Sequence, residues 1–183
     1  FFQSPEMPFY YVQIAPWESE GCDKFDWALF RQCQLELMHE VPGTGMVITT
    51  DAGSEKFIHP PYKIKVGERL AYWALARTYG FMYSGPIYRQ CQMNDQHVEV
   101  DFEFGEDGLG PENQLVEGFE LVDKAGNIYP AKAEIIGGSS KVKVWNDSVP
   151  NPVEVRYCFR NYKVGTLQNN AGLPAAPFRA VIK

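Results

Sequence analysis

His59 is the side chain in this sequence best placed to act as a catalytic base. It lies in the irregular stretch 52–60, directly after an apolar segment that is predicted to form a strand. In an open parallel sheet, ligands bind beyond the carboxyl ends of the strands. Ile58 and the pair Pro60-Pro61 border the histidine and would hold its imidazole in place, which general base catalysis requires. The position makes His59 a candidate general base, and an ordinary surface or structural histidine is the alternative that the position alone leaves open.

No nucleophile accompanies this histidine in the sequence. None of the seven serines stands in a G-x-S-x-G elbow or in a GDS- or GQS-type strand end. They are Ser4, Ser19, Ser54, Ser84, Ser139, Ser140 and Ser148. Cys22 lies in a loop that follows a predicted strand and could serve in a Cys–His esterase, but its neighbours Glu18, Glu20 and Asp23 would raise the pKa of the thiol. We therefore expect that the chain by itself does not catalyse acyl transfer.

The other histidines and the possible metal ligands have simpler explanations. His39 ends a predicted helix, where a positive charge is favourable, and His97 opens a predicted strand. Asp51 and His59 could share a metal ion, but no recognisable third ligand stands at motif spacing. The sequence therefore predicts neither a metal nor a cofactor.

Residues 1–82 alternate between strand and helix patterns. The apolar run 8–15 predicts a strand buried on both faces, and 45–50 predicts a second strand with Asp51 at its carboxyl end. One helix is predicted between the strands, and another over 62–79 with Gly80 as a left-handed cap. This order is typical of parallel α/β packing. Two such units are too few for a doubly wound sheet, so we expect this half of the chain to be a truncated domain.

The first helix carries a predicted core-facing stripe. Asp23 would cap its first turn, and the helix should end before Pro42, because proline disfavours helical dihedral angles in the preceding residue. Four apolar residues recur at helical spacing and are predicted to face the core. They are Leu29, Phe30, Cys33 and Leu37.

Residues 83–183 follow a period of two. The segment 97–104 alternates apolar and polar residues without a break, as in a strand with one face in water. Further strands are predicted at 87–93, 116–122, 128–135, 142–145, 153–159 and 178–182. Many short strands separated by turn-forming residues favour an all-β sandwich. The predicted fold class is therefore α/β plus all-β, with the boundary between residues 82 and 83.

Composition excludes several classes of partner. The net charge is −6 and no basic cluster interrupts it, so nucleic acid is not an expected partner. No apolar run approaches the roughly 20 residues of a membrane span, so no membrane is expected either. The four cysteines form no CxxC pair, and one disulfide stays possible if the protein is exported. The first residues show neither an initiator Met nor a secretory signal, which suggests a processed or cut product.

Seven segments, spread over essentially the whole chain, carry a resemblance to a known family. They are PFYYVQIAPW (8–17), VPGTGMVITTDAG (41–53), IHPPYKIKVGERLAYWALARTYG (58–80), SGPIY (84–88), YPAKAEI (129–135), NPVEVRY (151–157) and GLPAAPFR (172–179). In sequence and in order they resemble the C-terminal part of the sialate O-acetylesterase family, whose members are SGNH/GDSL-type hydrolases that remove acetyl groups from sugars.

The resemblance implies a role for His59 and a partner that carries the serine. The family's last catalytic block is an IHP loop, which matches Ile58-His59-Pro60 here. Its histidine would take the proton of a serine and return it to the sugar hydroxyl. That serine lies in a GQS-type block near the start of the family's domain, followed by oxyanion-hole blocks, and none of these is present in this sequence. The implied fold is the C-terminal βαβα portion of an SGNH-type (flavodoxin-like) domain over 1–82, followed by a β-sandwich.

The orienting acid of the family is not matched. Many relatives carry an Asp two positions before the histidine, where this chain has Phe57. SGNH enzymes more broadly often carry an Asp three positions before the histidine, where this chain has Lys56. Asp51, which matches an Asp of the family segment TIDLG, is the best substitute, and Glu55 is the second. The third alternative is that no acid takes part, and that a Ser–His dyad is assisted by a backbone carbonyl.

The predicted function is therefore that of a carbohydrate O-acetylesterase segment, acting with an N-terminal segment or subunit on acetylated sialic acid or a related glycan. Two alternatives stay open: a non-catalytic glycan-binding module in which Trp145 or Tyr162 stacks on sugars, and a stand-alone inactive homologue. The resemblance also implies a secreted, periplasmic or lysosomal location.

Overall fold

The structure, a computed structural model, describes residues 7–19, 24–59, 61–80 and 84–183. The first part alternates strand and helix as predicted: β1 (Phe9–Val12), α1 (Asp26–Glu40), β2 (Thr44–Val47) and α2 (Lys63–Tyr79). β1 and β2 pair in parallel, with Val12 opposite Val47. α2 ends at Gly80, whose φ of 73° is the predicted left-handed cap. In the part of the chain that is described, neither helix has the length and apolarity needed to span a membrane.

The predicted core-facing stripe of α1 is wrong. Leu29, Phe30 and Leu37 remain 39–49% exposed, and Cys33 is exposed as well. The buried residues of the helix are instead Ala28, Arg31 and Leu35. These two sets lie on nearly opposite sides of the helix, since successive residues are about 100° apart. α1 is buried on the side that meets β2 and the antiparallel sheets. Arg31 lies on this buried side, where an apolar residue would be usual. The predicted cap, Asp23, lies outside the described residues.

β1 also differs from its prediction as a strand buried on both faces. Phe9 is exposed and the other three residues are only half-buried, whereas Gly45, Met46 and Val47 in β2 are buried. The reason is that β1 pairs only with β2 among the described residues, so its other edge and much of its surface lack a covering layer.

Residues 84–183 form antiparallel sheets. Their strands are β3 (Ile87–Asn94), β4 (His97–Glu103), β5 (Leu109–Gly110), β6 (Phe119–Val122), β7 (Ile128–Pro130), β8 (Lys132–Ile135), β9 (Lys141–Trp145), β10 (Glu154–Tyr157), β11 (Gln168–Asn169) and β12 (Phe178–Val181). One four-stranded sheet has the order β3-β4-β9-β8 and the other has the order β12-β10-β6-β7. β5 and β11 form a short separate pair.

The two four-stranded sheets share one hydrophobic core. Val98, Val100 and Phe102 alternate inward along β4, as the sequence pattern predicts, and meet Phe119 and Phe178 from the other sheet. The single strand predicted over 128–135 is in fact two strands, because the chain leaves one sheet and enters the other at Ala131: β7 pairs with β6, and β8 pairs with β9.

The α/β part packs directly on the antiparallel part. Leu35, Met46 and Ile48 form a second buried cluster with Ile87 and Ala176. The buried Arg31, only 1% exposed, donates to the carbonyl oxygens of Arg160 and Asn161. The predicted boundary between residues 82 and 83 falls in 81–83, which is outside the described residues. The division into two domains stays a prediction.

Candidate functional site

Two loops meet at the carboxyl ends of β1 and β2. The backbone N–H of Ser54 donates to the carbonyl of Pro16 at 3.2 Å, and that of Glu18 donates to the carbonyl of Glu55 at 3.1 Å. The N–H of Trp17, between these two bonds, donates to the carbonyl of Asn161 at 3.0 Å. The loop after β1 is therefore fixed both to the loop that carries His59 and to the antiparallel part.

Gly53 makes this close approach possible. A Cβ atom at this position would collide with the carbonyl oxygen and the ring of Pro16. Backbone atoms cannot move aside as a flexible side chain can, so only glycine allows the two loops to lie this close together.

We expect Gly53→Ala to destabilise the chain by about 1–3 kcal/mol, the usual range for overpacking a tight contact. The measurement is the free energy of unfolding in urea. Gly67→Ala is the matched control, because Gly67 lies within α2 with no atom near its added Cβ, and alanine favours a helix. The control should be slightly more stable than the parent chain. Equal stability of the Gly53→Ala variant and the parent would contradict the close packing of the loops.

His59 lines a cavity of about 350 Å³ between these loops. The other lining residues are Trp17, Ser54, Lys56, Phe57, Ile58 and Pro61. The imidazole is exposed, and within the described residues it forms no hydrogen bond or ion pair. The structure thus places the predicted base at the predicted edge of the sheet, beside a largely apolar cavity that could receive a substrate.

Asp51 is held by two cations of α2. Its carboxylate accepts from both terminal nitrogens of Arg69, at 2.7 and 2.8 Å, and from Lys65 at 3.1 Å. Arg69 also donates to the carbonyl of Ile48 at 2.9 Å. Burial acts to raise the pKa of Asp51, but the hydrogen bonds and charges of Arg69 and Lys65 outweigh it, so the pKa lies below its ordinary value of 3.8. Asp51 is therefore ionised at neutral pH.

The structure brings the candidate residues into one loop without linking them. No hydrogen bond joins Asp51 to His59 in the described ranges. The side chain of Glu55 is exposed, and its carbonyl takes part in the bond between the loops. Cys22 lies outside the described residues. No group of three possible metal ligands occurs in the residues the structure describes.

Two residues that the sequence did not single out contribute to this site. Trp17 directly follows Pro16 at the end of the first predicted strand, so the rule that pointed to the loop of His59 could also have found it. Arg69 lies in the middle of α2, where a long basic residue is normally solvent-exposed. No sequence signal distinguishes it, because its partner Asp51 is reached only through tertiary packing.

Comparison with known proteins gives a similarity to a solved structure. No protein-family model matches the chain, and no curated protein matches it. Among solved structures, a carbohydrate acetylesterase from Xanthomonas citri matches with a TM-score of 0.83 and 32% sequence identity. The match covers 94% of this chain and 41% of that chain, so this chain spans less than half of that protein's length. The chain therefore shares the fold of a substantial part of a carbohydrate esterase.

Proposed function

We propose that this chain is the C-terminal part of a carbohydrate O-acetylesterase and supplies its general base, His59. The observation that carries the proposal is the cavity beside His59, at the carboxyl end of β2, in a chain structurally similar to a carbohydrate acetylesterase. The family resemblance supports an SGNH-type hydrolase domain followed by a β-sandwich. Sialic acid or a related acetylated glycan is the proposed substrate.

The proposed mechanism is acyl transfer through a serine that another part of the enzyme contributes. His59 takes the proton of that serine while the serine oxygen attacks the acetyl carbonyl. The protonated imidazole then gives the proton to the sugar oxygen as the C–O bond breaks, leaving an acetyl-serine. His59 next takes a proton from water, which attacks the acetyl-serine, and returns it to the serine as acetate leaves.

The proposed orienting acid is Asp51. A carboxylate has about four lone-pair sites, so the bonds from Arg69 and Lys65 leave room for one more donor from the imidazole. Glu55 is the second candidate, and a backbone carbonyl of the loop is the third.

The distribution of exposed apolar side chains supports a polypeptide partner. Among the described residues, 15 large apolar side chains are exposed, and 12 of them lie between Met7 and Tyr79. The exposed stripe of α1 and the uncovered edge of β1 belong to this surface. Large exposed apolar patches usually mark a contact surface. We propose that the serine-bearing segment of the enzyme covers them.

A chimera tests the proposed function. The matched region of the Xanthomonas citri acetylesterase is replaced by this chain, and the TM-score of 0.83 makes the graft well defined. We expect the chimera to release acetate from acetylated methyl glycosides, whereas the chain alone releases none. Circular dichroism and gel filtration establish whether the chimera is folded. A folded chimera without esterase activity would argue against the proposal.

The same chimera tests the contact surface. Leu29→Glu should lower the stability of the chimera by about 2 kcal/mol, the value of burying a leucine side chain, but leave the isolated chain within about 0.5 kcal/mol. Val164→Glu is the matched control, because Val164 is an exposed apolar residue of the antiparallel part and does not belong to residues 7–79, which form the proposed surface. Thermal unfolding of all the variants measures the difference. An equal effect of Leu29→Glu in both proteins would contradict a partner on α1.

The glycan-binding alternative has less support at Trp145. The ammonium of Lys143 lies 5.0 Å from the centre of the indole ring, over its face, so this face is already occupied.

A further inference from the structure

The indole of Trp17 is held rigidly beside His59. Its backbone N–H donates a hydrogen bond to the carbonyl of Asn161. The residues on either side, Pro16 and Glu18, form backbone hydrogen bonds with the loop that carries the histidine. Its ring packs against Trp27 at 5.6 Å between ring centres, and Trp27 is in turn fixed by donating its indole N–H to Ser19 at 2.9 Å. Trp17 is thus a preformed wall of the cavity.

The chemistry of the proposed reaction decides which part of the substrate occupies this cavity, and the inference rests on that proposed function. The base must return its proton to the leaving oxygen, so this oxygen has to lie within about 3 Å of the imidazole. The leaving oxygen belongs to the sugar. The group in the space beside His59 is therefore the sugar ring, while the acetyl group points toward the serine and the oxyanion hole.

The walls of the cavity suit a sugar ring. Besides Trp17, they include Phe57, which is 69% exposed, and Ile58. A pyranose ring presents a flat face of C–H groups and a rim of hydroxyls, and aromatic rings offer a matching flat apolar surface. Ser54 and Lys56 supply polar groups that can bind the hydroxyls. The volume of about 350 Å³ is at the small end of ligand pockets, which suits a single ring.

We propose that Trp17 and Phe57 form the subsite for the leaving-group sugar, in which one pyranose ring stacks on Trp17 with its ester oxygen toward His59. The subsite selects the alcohol part of the ester. It therefore discriminates between acetylated pyranosides and small aliphatic acetates, which have no ring to stack.

Fluorine NMR of the chain labelled with 5-fluorotryptophan tests this proposal without requiring catalysis. The four tryptophans give four signals, and Trp17→Phe identifies that of Trp17. The probes are the methyl pyranosides of glucose, xylose and N-acetylneuraminic acid, with and without an O-acetyl group, and glycerol is the control polyol. We expect at least one pyranoside to shift the Trp17 signal saturably while the Trp145 signal stays in place. Failure of all the pyranosides to shift the Trp17 signal, or a saturable shift confined to Trp145, would overturn the proposal.

Two variants separate this inference from the proposed function. Phe57→Ala removes an exposed side chain, so the protein should remain folded, and it should weaken the binding of the pyranoside about tenfold. His59→Ala should leave the saturable shift of the Trp17 signal in place. In the chimera, Phe57→Ala should raise KM for acetylated pyranosides about tenfold, a clearly larger effect than on methyl acetate, which has no ring to stack. An inactive chimera with a saturable Trp17 shift overturns the esterase function alone, whereas an active chimera insensitive to Phe57→Ala overturns the subsite.

Discussion

His59→Ala should lower kcat/KM of the chimera for acetyl esters by about 10³-fold or more. General acid–base catalysis by a positioned side chain contributes typically about 10²–10⁴-fold, and in the proposed mechanism one imidazole serves both halves of the reaction. The side chain is exposed and forms no hydrogen bond within the described part of the chain, so its removal should not affect folding. The measurement is the initial rate of acetate release from an acetylated methyl glycoside.

His39→Ala is the matched control for this experiment. His39 is also an exposed histidine, but it lies in the last turn of α1 and does not line the cavity, so the variant should keep its full rate. Imidazole added to the buffer should partly restore His59→Gly, because a free base can enter an open cavity of this size. Full activity of His59→Ala would eliminate the histidine as the base.

The sequence alone predicts the local elements of this fold well. The strict alternation of 97–104 appears as the alternating burial of β4, and the end of α2 at Gly80 follows from the freedom of glycine to adopt positive φ. These features depend on residues close in sequence, so their patterns are complete within one segment. The position of His59 after β2 is predictable for the same reason.

Features that depend on contacts between distant segments are not predictable in this way. α1 carries apolar residues on one side and Arg31 on the other, and a helical pattern cannot show that the arginine side is the buried one. Its burial depends on the carbonyls of Arg160 and Asn161, about 130 residues away. The pairing of Asp51 with Arg69 and the position of Trp17 beside His59 likewise arise only when the loops and α2 pack together.

Asp51→Asn should destabilise the chain by about 2 kcal/mol. The substitution keeps the shape of the side chain but leaves Arg69, whose side chain is 8% exposed, without its counter-charge. Breaking a fully buried ion pair costs about 3–5 kcal/mol, whereas an exposed ion pair contributes at most about 1 kcal/mol. The side chain of Asp51 is 29% exposed, so its pair with Arg69 lies between these two cases. The free energy of unfolding in urea measures the loss. Glu55→Gln in the same loop should change it by less than about 0.5 kcal/mol.

The pH dependence of this loss follows from the lowered pKa of Asp51. Because the folded state lowers this pKa below 3.8, the carboxylate contributes its full stabilisation above the pKa of the unfolded chain and loses it as the pH falls through the folded value. The difference in stability between the parent and Asp51→Asn should thus be constant between about pH 7 and 5 and shrink below about pH 4. A difference that stays constant down to pH 2 would contradict the pairing with Arg69.

The chimera separates this structural role of Asp51 from its proposed role as the orienting acid. Arg69→Met breaks the same ion pair but keeps the carboxylate, so it should lower stability by a similar amount and leave kcat/KM within about tenfold of the parent. Asp51→Asn should lower kcat/KM by about 10²–10⁴-fold in the folded protein, because the imidazole loses the group that fixes its tautomer and stabilises its charged form. Equal activities of the two variants would assign Asp51 to the stability of the loop alone. A large loss in Glu55→Gln would then identify Glu55 as the acid.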